Sequence, residues 1–124
     1  MLYAVLCYDD EDMVFARDAS ANDALMARLD AVQAPHARAG RLGPVARLMP
    51  TTSAVSVRKG AEPLVIDGPF AETKEQLLGF YTIECDGLDE AVAFAKELIA
   101  ANPGAGGYEI RPLLLFRPDG ALPA

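Results

Sequence analysis

A single histidine, His36, is all the imidazole in the 124-residue chain. Histidine-rich metal centres and Ser-His-Asp catalysis are therefore poor expectations for one copy. Cysteine is nearly as scarce. Cys7 and Cys85 match neither a metal-binding spacing nor a Cys-x-x-Cys pair, and both lie in apolar runs where a thiol behaves as a small hydrophobe. With no phosphate loop, dinucleotide fingerprint or His-Glu-x-x-His helix, no nucleotide, cofactor or metal is expected. Basic residues number 11 against 18 acids and form no stripe. At a net charge of −7 the chain lacks the phosphate-neutralising surface that nucleic-acid affinity needs, and solubility is the expected role of the charge. No apolar run approaches the ~20 residues of a membrane span. Met1–Tyr8 has no positive flank and runs straight into acids, so it reads as a retained strand rather than a signal peptide, and a cytoplasmic protein is expected.

Apolar residues, by contrast, make up 52% of the chain, ample for one core, and the length suits one domain. A domain this small buries only about two thirds of its unfolded surface, which makes a homodimer interface a natural further source of burial. Leu2–Tyr8 reads as a strand. Asp9-Asp10-Glu11-Asp12 lacks the alternating ligands and glycine of a calcium loop, and an irregular, solvated connection is expected up to Ala19. Ser20 with Asp23 opens a helix with Leu25, Leu29 and Val32 as its stripe, which Pro35 should end or kink near Ala34. Residues 41–49 lead into a second strand, and Ser53–Arg58 with Pro63–Asp67 form a hairpin. Leu78–Cys85 is the most convincing strand. Asp86 should cap a second helix burying Leu88, Ala91, Val92, Ala95, Leu98 and Ile99. A last strand, Tyr108–Phe116, should lie at an edge or bulge because of Pro112, and residues 117–124 read as a loose tail outside a single domain of residues 1–116.

That order is an α+β, ferredoxin-like βαββαβ unit with an extra β-hairpin. Right-handed crossovers put both helices on one face of the antiparallel sheet and leave the other face bare. Cys7 and Cys85 fall at opposite ends of this sheet, farther apart than the ~7 Å between Cα atoms that a disulfide spans, so two free thiols are expected.

The most distinctive stretch is Asp67-Gly68-Pro69-Phe70-Ala71-Glu72-Thr73-Lys74-Glu75-Gln76. Gly68 permits a positive φ and Pro69 fixes its own, so the chain must turn here before a helical Ala71–Leu77 segment. With Gly79-Phe80-Tyr81, Leu88-Asp89-Glu90-Ala91 and Glu109-Ile110-Arg111-Pro112-Leu113, this stretch resembles the YCII-related proteins, in the branch known by its DGPF motif. The resemblance implies a dimeric α/β barrel in which two bare sheet faces pair. It also implies a histidine on the first helix acting with an aspartate as a catalytic pair, and His36 lies in about that region. The wider superfamily includes muconolactone-type isomerases and dehalogenating members, and the family is associated with extracytoplasmic-function sigma factors.

Asp67 therefore has two readings: a carboxylate aimed into a cleft, or an Asx-type cap on amides near Phe70. Lys74 could steer an anionic organic ligand and Arg111, alternating with Ile110, could hold its carboxylate. Tyr81 and Phe80 point to opposite faces, one to the core and the other to the dimer face or a pocket. The expected function is a small dimeric enzyme acting by acid–base chemistry on a small organic acid or lactone, with Asp67 and His36 as proton carriers. The alternative is a non-catalytic binding or regulatory module of sigma-factor systems.

Overall fold

In a computed structural model, which describes residues 1–122, the first apolar run becomes the centre of an antiparallel sheet. β1 (Leu2–Asp9) lies between β5 (Gln76–Glu84) and β6 (Gly107–Pro112), and β5 pairs on its outer side with β2 (Leu42–Arg47). Tyr3 faces Ile83 and Val5 faces Tyr81 across the β1–β5 ladder, so these four share one side of the pleat. Helices α2 (Ala19–Arg38) and α3 (Leu88–Ala101) cover that side. Leu25 and Leu29 from α2 and Phe94 and Leu98 from α3 close a core over Tyr3, Val5 and Ile83. Each such side chain contributes about 1.5–3 kcal/mol when fully buried. Beyond these stand a short helix α1 (Glu11–Phe15) and a separate hairpin, β3 (Val55–Arg58) with β4 (Leu64–Asp67). The mixed α+β architecture is compatible with the ferredoxin-like plan. Cys7 lies opposite Gly79, whereas the Cys85 amide donates to the Met1 carbonyl, and both thiols are free.

Several local expectations are corrected. The acidic run does not stay irregular, because the Asp10 carboxylate caps the amides of Asp12 and Met13 and starts α1. Asp18, not Ser20, caps α2, accepting from the Ala21 amide at 2.7 Å. Pro35 does not end that helix; it sits in the last turn, where a missing N–H removes only one ladder bond, and the chain stays helical to Arg38. No helix follows Pro69. Thr73 donates through Oγ1 to the Glu75 carbonyl, and Gln76 through Nε2 to the Thr73 carbonyl at 2.7 Å, side-chain bonds that compete with a helical ladder. Gly87 rather than Asp86 precedes α3, and Phe94 replaces Leu88 and Ile99 in its buried stripe. β6 stops at Pro112, four residues short of Phe116, at the sheet edge where a missing donor is tolerated.

The other side of the sheet carries Leu2, Ala4, Leu6, Tyr8 and Phe80, all half-buried, and neither α2 nor α3 packs there. On the hairpin, Val55, Val57, Leu64, Val65 and Ile66 are exposed.

Candidate functional site

One row of residues crosses the helix-covered face of the sheet. Tyr108 on β6 stands opposite Cys7 on β1, Cys7 opposite Gly79 on β5, and Gly79 opposite Arg47 at the end of β2. The next row is Ile110, Val5, Tyr81 and Val45. Neighbouring strands are ~4.8 Å apart, so the Arg47 and Tyr108 backbones are separated by three spacings, ~14 Å. The helices do not close over this part of the sheet. Met26 and Asp30 from α2, Val14 and Arg17 from around α1, and Asn102 at the end of α3 surround a cavity of about 180 Å³ above Cys7, Tyr81, Tyr108 and Arg47. Gly79 is a condition for this geometry: a Cβ there would collide with the Ala46 carbonyl, so only glycine lets β2 approach closely enough to set Arg47 at the rim.

The cavity has a polarity. Burial pushes the Cys7 thiol up, with the neighbouring Tyr108 hydroxyl offsetting part of the rise. Burial also pushes the Tyr81 phenol up, and carries Tyr108 furthest, well above the ordinary tyrosine range. All three are therefore protonated and uncharged near neutral pH. The negative charge of Asp9 adds to the rise at Cys7 and Tyr108, whereas the positive charge of Arg47 opposes it at Cys7 and Tyr81. Arg47 rests with Nη1 3.5 Å from the Met26 sulfur and its guanidinium 5.7 Å from the centroid of the Phe15 ring. Among the described residues neither Arg47 nor Arg17 is ion-paired. An apolar floor, a guanidinium at one end and neutral donors at the other can hold a small amphipathic acid, with Asp9 and Asp30 as proton acceptors in the same wall.

The YCII-related domain, as a family profile, matches residues 1–117. The chain belongs to the YCII-related family. An uncharacterized protein of Rhizobium meliloti (strain 1021) is 57% identical over 125 residues, spanning the whole of both chains. Neither likeness brings a reaction with it, so the chemistry of this YCII-related protein rests on its own geometry.

Of the five residues singled out by sequence, Tyr81 lines this cavity and the others lie elsewhere. His36, near the end of α2, sits with Nε2 2.9 Å from Glu97 on α3 and its ring edge-on to Phe94 at 4.9 Å, while Nδ1 is buried without a partner among the described residues. It borders a different cleft of about 220 Å³, shared with Arg41 and Glu90. Asp67 ends β4, exposed, and among the described residues its carboxylate accepts no hydrogen bond. The turn is held without it. Gly68, at φ +113°, donates to the Ala54 carbonyl at 2.8 Å; Ser56 Oγ donates to the Gly68 carbonyl at 2.8 Å; Arg58 donates to the Phe70 carbonyl at 2.9 Å. The Arg58 guanidinium also lies 4.4 Å over the Phe70 ring. Lys74 is exposed in the segment after this turn, and Arg111, exposed on β6, pairs with Glu109. Arg47, Cys7 and Tyr108 escaped the sequence reading because no motif joins them. Only the pairing register puts them in line.

Proposed function

We propose that this YCII-related protein, of the branch marked by Asp67-Gly68-Pro69-Phe70, is a cytoplasmic enzyme that takes a small organic acid or lactone into the cavity beside α2 and acts on it by general acid–base chemistry. One observation carries the reading: an Arg47 guanidinium without a carboxylate partner among the described residues shares a small apolar cavity with the uncharged hydroxyl and thiol donors of Tyr81, Cys7 and Tyr108. The ligand carboxylate pairs with Arg47 in charge-assisted hydrogen bonds. Its body lies against Val45 and Tyr81. Asp9 and Asp30 are the carboxylates within the wall, and the neutral phenols donate toward an oxygen on which negative charge develops. Calorimetry with a panel of short carboxylates and carboxylated lactones tests this. Arg47→Gln should weaken whatever binds by about tenfold, the loss of one charged hydrogen bond. Equal binding by the variant, or no binding by either protein, sinks the reading. Abolished turnover in Asp67→Asn with intact binding would move the chemistry to the hairpin.

The working unit of this proposal is a homodimer joined through the bare sheet face. Half-buried Leu2, Leu6, Tyr8 and Phe80 support it, since a contiguous apolar face of this kind seldom meets water in a soluble monomer. A second reading, a non-catalytic regulatory module of a sigma-factor system, draws on the hairpin, where Phe70 and an uncommitted Asp67 carboxylate face outward. Co-purification of a stoichiometric protein partner, released by Asp67→Asn, would favour it over the enzyme.

A further inference from the structure

We infer that the cavity is two-ended: it selects molecules carrying a carboxylate at the Arg47 end and an uncharged hydrogen-bond acceptor, a ketone or lactone carbonyl, at the Tyr108 end, with Tyr108 as the residue that sets the second requirement. The inference rests on the reading of the cavity as a ligand site and adds what that site discriminates.

The row itself supplies the spacing. Tyr108 and Arg47 occupy the two edge strands of the sheet, with Cys7 and Gly79 between them. A backbone separation of ~14 Å, shortened by two long side chains reaching inward, suits a molecule several carbons long between its polar ends. Three groups gather at the β6 end: the Tyr108 hydroxyl and the Cys7 thiol, which lie close enough to interact with each other, and the Asn102 side-chain amide, which forms no hydrogen bond among the described residues although it lines the cavity. All three can donate without carrying charge. Asp9 stands at the same end, with Oδ1 accepting from the Asp10 amide at 2.7 Å, and its charge repels a second anion there. A carboxylate is thus turned toward Arg47 and away from Tyr108. Burial, which keeps the phenol and the thiol protonated, reinforces the same polarity. Asp30, one helical turn beyond Met26, also borders the cavity but forms no ion pair with Arg47. The guanidinium is left for the ligand.

A matched set of probes separates the ends: 6-oxoheptanoate, heptanoate and 6-aminohexanoate, titrated calorimetrically into the full chain. The wild-type protein should prefer the oxo acid over heptanoate by about tenfold, the value of one hydrogen bond to a half-buried donor. Tyr108→Phe should bring that ratio below about twofold while heptanoate affinity is kept, whereas Arg47→Gln should weaken both acids alike. If both acids bind the wild type equally well but still depend on Arg47, the inference is overturned and the site reading stands. If neither acid binds, both fall. Tightest binding by 6-aminohexanoate also overturns it, because Asp9 would then be selecting a cation. Should Tyr108→Phe fail to fold, the three wild-type titrations decide alone.

Discussion

The two sides of the four-stranded sheet are built from similar residues and end in opposite situations. On one side Val5, Tyr3 and Ile83 meet Phe94, Leu98, Leu25 and Leu29, and the chain satisfies its own apolar surface. On the other, Leu2, Leu6, Tyr8 and Phe80 have no helix over them, and the attached hairpin exposes Val55, Val57, Leu64, Val65 and Ile66. A two-stranded hairpin is at best marginally stable by itself. Here its turn is fastened by Ser56, Arg58 and Gly68 to the signature, whose far end, Gln76, pairs with Asp9 and accepts from the Glu11 amide. Apolar composition alone therefore does not mark a core. What distinguishes the two halves is whether the chain returns to cover its own surface, and the helical crossovers return to only one side.

The largest loss of stability should come from within the covered half. Phe94 is 1% exposed and meets both His36 and Tyr81 edge-on. Phe94→Ala should cost about 3–5 kcal/mol. Urea unfolding should show a lower midpoint at an unchanged slope, and a loss below 1 kcal/mol would mean that the helices are held by something other than this ring. Gly79→Ala comes next, at about 1–3 kcal/mol, because the new methyl group meets the Ala46 carbonyl and must push β2 outward. That substitution should also abolish ligand binding, since it displaces Arg47.

A third effect comes from titration. Burial raises the thiols of Cys7 and Cys85 and the phenols of Tyr81 and Tyr108 above their ordinary values. The native state then keeps its protons where the unfolded state has already released them. The sign follows: stability is fully present below the unfolded thiol range and declines as pH rises past about 8.5–9, then further past about 10. Unfolding midpoints measured from pH 7 to 10.5 should fall along that course, and Cys7→Ala with Tyr108→Phe should flatten it. A midpoint rising with pH over this window would contradict the burial of the row.

How far the sequence spoke depended on the range of the interaction. Apolar runs marked Leu2–Tyr8 and Leu78–Cys85 as strands, and helical spacing marked Leu25 and Leu29 as buried, because both patterns are local. Pro35 misled, since its penalty depends on how many turns follow it, and only the last turn of α2 does. The Asx cap expected at Asp67 does not form; bonds from Ser56 and Arg58, a dozen residues upstream, do its work instead. The cavity was least legible. Tyr81 was singled out by strand alternation, but Arg47, Cys7 and Tyr108 are brought into one row by a register between strands some 30 to 100 residues apart in the chain, which no single segment encodes.

The smallest change in monomer stability should come from the uncovered half. Val57 and Val65 stand opposite each other on the hairpin and are 62% and 65% exposed. Val57→Ser combined with Val65→Ser removes apolar surface that the chain itself does not bury, so urea unfolding of the monomer should shift by no more than about 0.5 kcal/mol. If a second copy covers the hairpin, sedimentation should show the population moving from dimer toward monomer at the same concentration. A stable fold with an altered association constant is what an interface residue produces, whereas a core residue changes both. An unchanged sedimentation profile would confine any pairing to Leu6, Tyr8 and Phe80 on the sheet. The hairpin would then be free for a partner of another kind.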